Sequence, residues 1–119
     1  MKGKKLENNK VALARVNYSQ LYKFYDDGKT YKKRDVLIPY HLITLASHIQ
    51  QNNIQAKIFD GEVDLLTQQD LVKQIIDWKP KFVGLTTTTP DILITLEVCK
   101  LIKQNNPNVI TIIGGPHAS

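Results

Sequence analysis

Two short segments hold the groups best suited to chemistry. Thr86-Thr87-Thr88-Thr89 places four hydroxyls in a row ahead of Pro90. Each hydroxyl can both donate and accept a hydrogen bond, which suits amide and phosphate groups. Gly114-Gly115-Pro116-His117 follows Ile110-Thr111-Ile112-Ile113, a run that reads as a strand. Paired glycines at a strand end let a bulky ligand lie against bare backbone, because no Cβ stands in the way. Both segments also have plain structural readings. β-Branched threonines extend strands, Thr89 before Pro90 suits a helix cap as well as a ligand contact, and two glycines can simply make a turn.

Other chemistries lack their residues. No G-x-G-x-x-G follows the first apolar run and no G-x-x-x-x-G-K-[ST] occurs, which disfavours dinucleotide and P-loop binding. His41, His48 and His117 are too scattered for a metal cluster, so the expected metal-ligand set is none. The single cysteine, Cys99, can form no internal disulfide and supplies no zinc or iron–sulfur site. No Ser/His/Asp or Cys/His arrangement is readable, so no catalytic residue is expected.

The elements that must position the two segments follow from periodicity. Lys10 to Val16 is a short apolar run and reads as a first strand. Leu42, Leu45, Ala46 and Ile49 recur at i, i+3, i+4 and i+7, one face of a helix that can start at Pro39 and end at Asn52-Asn53. Ala56 to Phe59 reads as a second strand, closed by Asp60-Gly61. Thr67 can cap a helix running to residue 78, with Asp70 three places on and Leu71, Val72, Ile75 and Ile76 on its apolar side. Phe82 to Leu85 begins a third strand and leads into the threonines. A third helix, from Pro90 to Gln104, is apolar on much of its circumference (Ile92, Leu93, Leu96, Val98, Leu101, Ile102), which predicts burial against a sheet. Val109 to Ile113 is the fourth strand.

Alternating strands and helices, with mostly unbroken apolar strands, predict a parallel sheet covered by helices. The expected class is α/β, a flavodoxin-like (Rossmann-like) doubly wound sheet with four strands present and a fifth missing. Ligands of such sheets bind beyond the carboxyl ends of the strands. The candidates there are Asn17-Tyr18, Asp60-Gly61, Thr86 to Pro90, and Gly114 to His117.

Charge is unevenly distributed. Residues 1–34 hold ten Lys/Arg against Glu7, Asp26 and Asp27, a balance of +7, whereas residues 35–119 hold six against eight, or −2. Residues 1–9 read as a disordered basic tail and residues 10–119 as one domain. Residues 17–38 read as a long polar loop with Tyr18, Tyr22, Phe24, Tyr25 and Tyr31 among the lysines, a length that is usually functional or disordered. No apolar run can span a bilayer, and the basic start lacks a signal peptide's apolar core. With one cysteine, these features point to a cytoplasmic protein.

The joint spacing of Pro39-Tyr40-x-Leu42-x-x-Leu45-Ala46, Ala56-Lys57-Ile58-Phe59-Asp60, Val83-Gly84-Leu85-Thr86-Thr87-Thr88-Thr89-Pro90 and Ile112-Ile113-Gly114-Gly115-Pro116-His117 resembles the N-terminal cobalamin (B12)-binding domain of class B radical SAM enzymes. The resemblance runs from about Lys10 to the end of the chain. It implies a groove at the strand ends for the nucleotide tail of cobalamin, with Asn17 and Tyr18 beside it. Thr86, Thr87, Thr88 and Thr89 would line the tail, Gly114 and Gly115 would allow its close approach, and Pro116 and His117 would lie alongside. A planar base on a ribose phosphate needs a side-chain-free floor and a few hydroxyls.

Two features depart from the wider cobalamin pattern. The D-x-H-x-x-G signature of an axial histidine is absent, for Asp26-Asp27-Gly28 has no histidine, and His41 and His117 are poor substitutes. The radical SAM barrel with its C-x-x-x-C-x-x-C motif is also missing, together with the fifth strand and last helix. The resemblance therefore implies the front part of a methyltransferase-like enzyme. Its S-adenosylmethionine and 4Fe-4S cluster would belong to a radical SAM domain acting in cis or in trans. An unpaired sheet edge would favour self-association. Two other readings stand beside this one. A receiver-like binding module would need an acidic cluster where Asn17 and the threonines stand, and a nucleic-acid-associated protein would use the basic, tyrosine-rich loop.

Overall fold

The computed structural model describes residues 9–17, 39–88 and 92–115. Residues 1–8 of the tail and 18–38 of the long loop, Tyr18 among them, lie outside the described residues, as do Thr89, Pro90, Pro116 and His117. Seven elements alternate: β1 (Lys10–Arg15), α1 (Tyr40–Gln51), β2 (Gln55–Asp60), α2 (Gln68–Trp78), β3 (Phe82–Thr86), α3 (Ile92–Asn105) and β4 (Ile110–Gly114). The strands form one parallel sheet in the order β2-β1-β3-β4. This is the flavodoxin-like α/β arrangement, whose switch point falls between β1 and β3.

Strand alternation divides the core in two. Ala12, Ala14, Phe59, Val83 and Leu85 face α2 and α3, where they pack with Leu71, Val72, Ile75, Ile94, Val98 and Ile102. Leu13 faces the other way, against Leu42 and Ala46 of α1, with Val11, Ile49, Ala56 and Ile58 at its margin. Ile75, Val98 and Ile102 are fully buried, each such side chain stabilising the fold by about 1.5–3 kcal/mol.

Local chemistry sets the element ends. The Thr67 hydroxyl accepts the Asp70 N–H at 3.1 Å, capping α2 as its spacing predicts. At its other end Lys79 adopts a left-handed φ of 58° ahead of Pro80, and Asn53 does so at 63° after α1. Asparagine tolerates that conformation better than most residues.

Two expectations need correction. Leu45 is not part of the buried face of α1 but is 46% exposed, because α1 lies over β1 and β2 and turns that flank away from them. α3, by contrast, is buried against the sheet as its apolar breadth predicts, through Ile94, Thr95, Val98 and Ile102, while Leu93 and Leu96 point outward. β4 is not covered on both faces. Ile110 and Ile112 are exposed, since α1 does not reach over β3 and β4.

Candidate functional site

The carboxyl ends of β1, β3 and β4 bring together Asn17, Thr86, Thr87, Thr88, Gly114 and Gly115. Thr86 is the register partner of Gly114, and the Thr87 N–H donates to the Gly114 carbonyl at 2.9 Å. The hydroxyl run and the glycine pair, 25 or more residues apart in sequence, thus form one ledge.

Within that ledge the residues differ sharply. Gly115 has φ +104°, and a Cβ there would lie 2.7 Å from the Thr87 carbonyl oxygen and 2.9 Å from Thr86 Oγ1. Its glycine character serves the packing of one loop on the other. Gly114 is different: a Cβ there would meet nothing within 4 Å. It is exposed, and its register partner Thr86 shares its face of the sheet. The same face carries Gly84, whose added Cβ would touch Leu13 on the α1 side at 3.2 Å.

The threonines divide similarly. Thr87 is buried at 1% exposure, and its hydroxyl donates to the Thr88 carbonyl at 3.2 Å. Thr86 is half-buried and Thr88 is exposed. Asn17 is nearly buried at the end of β1.

The β2 end joins the ledge through a contact that spacing alone does not reveal. Arg15 ends β1 and pairs in register with Asp60, which ends β2. The guanidinium Nε donates to Asp60 Oδ1 at 2.7 Å and Nη2 to Oδ2 at 2.9 Å, a fork-to-fork ion pair. Asp60 Oδ1 also accepts the N–H groups of Glu62 and Val63 at 3.1 and 3.2 Å. The Gly61 N–H donates to the Arg15 carbonyl at 3.0 Å. A Cβ on Gly61 would come within 2.9 Å of that same oxygen and 3.2 Å of the Asn17 nitrogen. Asp60-Gly61 is visible in the sequence as a strand end, but Arg15 becomes its partner only through the parallel register.

Among the described residues no group of three His, Cys, Asp or Glu side chains could hold a metal ion. No helix among them is long and apolar enough to cross a membrane. His41 is exposed in the first turn of α1. A hollow of about 470 Å³ on the outer flank of β2, lined by Lys57, Asp60, Asp64, Asp77 and Trp78 among others, includes neither the threonines nor the glycines. Cys99 is half-buried, and burial raises its thiol pKa while nearby Lys103 opposes the shift.

Comparison with known proteins places the chain in a family. Residues 34–119 match the family model described as B12 binding domain. The chain is 37% identical over 81 residues to an uncharacterized methyltransferase of Pyrococcus horikoshii, covering 68% of this chain and 17% of that protein. It is 29% identical over 76 residues to an anaerobic magnesium-protoporphyrin IX monomethyl ester cyclase of Rubrivivax gelatinosus, covering 63% of this chain and 14% of that protein. The chain therefore spans less than a fifth of the length of either relative. No solved structure matches it.

Proposed function

This chain belongs to the B12-binding domain family, and we propose that it takes the nucleotide tail of cobalamin onto the ledge formed by β1, β3 and β4. The observation that carries this reading is the contrast within the glycine pair. Gly115 is spent on packing against Thr87, which leaves Gly114 with open space above it and Thr86 beside it. A Cβ-free floor next to hydroxyl donors is the surface that a flat base on a ribose phosphate needs.

The groups assigned to the ligand divide by exposure. Thr86 and Thr88 offer hydroxyls to polar atoms of the tail, and Gly114 offers close approach. Thr87 and Gly115 hold the two loops in register, while Asn17, packed beside Gly61, lines the ledge from β1. Tyr18, Thr89, Pro116 and His117 are adjacent in sequence and complete the proposed set. Cobalamin, when bound, supplies a cobalt centre able to carry a methyl group. The chain's own part is to bind and orient it.

The relatives suggest the setting. One is named as a methyltransferase and the other as a cyclase of a porphyrin ester, and both are several times longer than this chain. We read the chain as the corrinoid-binding part of a B12-dependent radical SAM enzyme of the methyltransferase type. A radical SAM domain, in cis or in trans, would provide the S-adenosylmethionine and 4Fe-4S chemistry.

The location is tested by mixing the purified chain with hydroxocobalamin, desalting it, and recording the visible spectrum of the protein fraction. The chain retains corrinoid absorbance, and Gly114→Val abolishes it while leaving the circular dichroism spectrum unchanged. Equal retention by both proteins would place the ligand elsewhere.

A further inference from the structure

The two ends of the sheet differ in charge. The turn after β2 and the start of α2 carry Asp60, Glu62, Asp64 and Asp70, so the carboxyl end, where the ledge lies, is acidic. In parallel βα units every strand starts, and every helix finishes, at the other end. There the described segments 9–11, 49–56, 77–82 and 103–110 hold Lys10, Lys79, Lys81 and Lys103 against one acid, Asp77. Side-chain amides fill much of the surface between them, with Asn52, Asn53, Gln55 and Asn108 exposed. A lysine after a helix is ordinary, since it complements the helix dipole. Lys10 and Lys81 have no such reason, for they start strands.

These lysines are gathered rather than spread. Val11 pairs with Phe82, and the Lys81 N–H donates to the Lys10 carbonyl at 3.0 Å, so two lysines stand side by side at neighbouring strand starts. Like charges so placed repel. Lys10 is drawn over Trp78: its Nζ donates to the Trp78 carbonyl at 3.1 Å and lies 5.2 Å from the ring centre. Lys79 and Lys81 flank the buried Pro80 and are both exposed. Lys79 takes φ 58° and ψ 55°, a backbone that glycine or asparagine adopts more readily. Cations held beside like charges, one of them on a backbone suited to another residue, make a surface built for an anion.

We propose that this amino-end surface binds the phosphate backbone of a nucleic acid duplex, with Lys79 and Lys81 as its phosphate contacts. Interfaces with nucleic acid are more polar and much more positive than those between proteins. Protein-docking surfaces centre on apolar or aromatic anchors, and among the described residues Ile110 is the one exposed large hydrophobic at this end. The aromatic rings here are covered. Trp78 is half-buried beneath Lys10, and Phe82 is half-buried with Lys81 Nζ 5.8 Å from its centre. That covering argues against a single strand, whose bases stack on open rings. Amides suit a backbone partner, since they contact phosphate oxygens and sugars alike. The surface lies at the far end of the sheet from the ledge, so this inference stands apart from the corrinoid reading.

The test measures binding of the full chain to short fluorescent duplexes, one DNA and one RNA of the same sequence, by anisotropy over a series of salt concentrations. The double variant Lys79→Asn, Lys81→Gln removes two cations, and asparagine suits the left-handed backbone at position 79. It should bind at least about fivefold more weakly at low salt. On the DNA arm its slope of log affinity against log salt should fall by about 1.8, for two lost phosphate contacts. Lys73→Gln, the same kind of change on the flank of α2, should leave the slope as it is. A loss of slope on either arm supports the proposal, and the tighter arm names the nucleic acid. A parent chain that binds neither duplex overturns it, as does a double variant that keeps the parent's slope. Polyglutamate that displaces the duplex as readily as unlabelled duplex does, at equal charge, also overturns it and assigns the surface to an acidic protein. Should the double variant melt early, Lys81→Gln alone decides, with a fall of about 0.9 in slope expected.

Discussion

A Cβ on Gly115 would stand 2.7 Å from the carbonyl oxygen of Thr87, closer than a Cβ carbon packs against another atom. The end of β4 is therefore pressed against the end of β3 with no room for alanine, and φ +104° adds a second objection. Gly115→Ala should lower stability by about 1–3 kcal/mol. Gly114→Ala, one residue earlier with nothing within 4 Å, should stay within about 0.5 kcal/mol. Thermal melts of the two variants distinguish them, and equal losses would contradict the division of roles.

The Arg15–Asp60 pair is mostly shielded, with side chains 18% and 14% exposed. Asp60 also holds two backbone N–H groups, so Asp60→Ala should cost more than Arg15→Met. About 2–3 kcal/mol against about 1–2 kcal/mol is expected, because lost hydrogen bonds to charged groups and unpaired buried groups add. Urea unfolding of both variants checks the order. A larger loss for Arg15→Met would show that the carboxylate does little for the turn.

Much of this fold was legible from periodicity and caps. Thr67 with Asp70 and the apolar side of α2 each rest on neighbours a few residues apart, and local spacing reports such contacts directly. Leu45 and Ile112 misled because an apolar residue looks the same in sequence whether a neighbouring layer covers it or not. Their exposure depends on where α1 lies over the sheet. The candidate ledge was legible as two segments, the threonine run and Gly114-Gly115, but not as roles. Which glycine packs and which stays open depends on the register of β3 against β4. Arg15 was invisible for the same reason, being tied to Asp60 across 45 residues.

The thiol of Cys99 should react slowly. Burial raises its pKa, Lys103 only partly opposing the shift, so at neutral pH the reactive thiolate is scarcer than for an open cysteine. Raising the pH increases the thiolate fraction, and the rate should keep climbing through the alkaline range where an ordinary thiol has levelled off. Iodoacetamide labelling followed by mass spectrometry from pH 7 to 10 measures this. A plateau at or below the ordinary thiol range would contradict it.

The two outer strands are guarded differently. β2 carries the exposed Lys57, and Gln50 donates to the Ala56 carbonyl at 3.1 Å. β4, Ile110 to Gly114, has no charged residue, and Ile110 and Ile112 are exposed. Uncharged open edges pair with other strands. The chain should therefore self-associate with rising concentration in sedimentation velocity, and Ile112→Lys should reduce that association. A parent chain that stays monomeric at every concentration would rule out β4 as a pairing edge.

Equilibrium dialysis of the purified chain against hydroxocobalamin tests the central claim most directly. The account predicts saturable binding that approaches one corrinoid per chain. A folded chain whose compartment holds no more corrinoid than the buffer would contradict it, leaving the Thr86–Gly114 ledge a feature of the fold without this ligand.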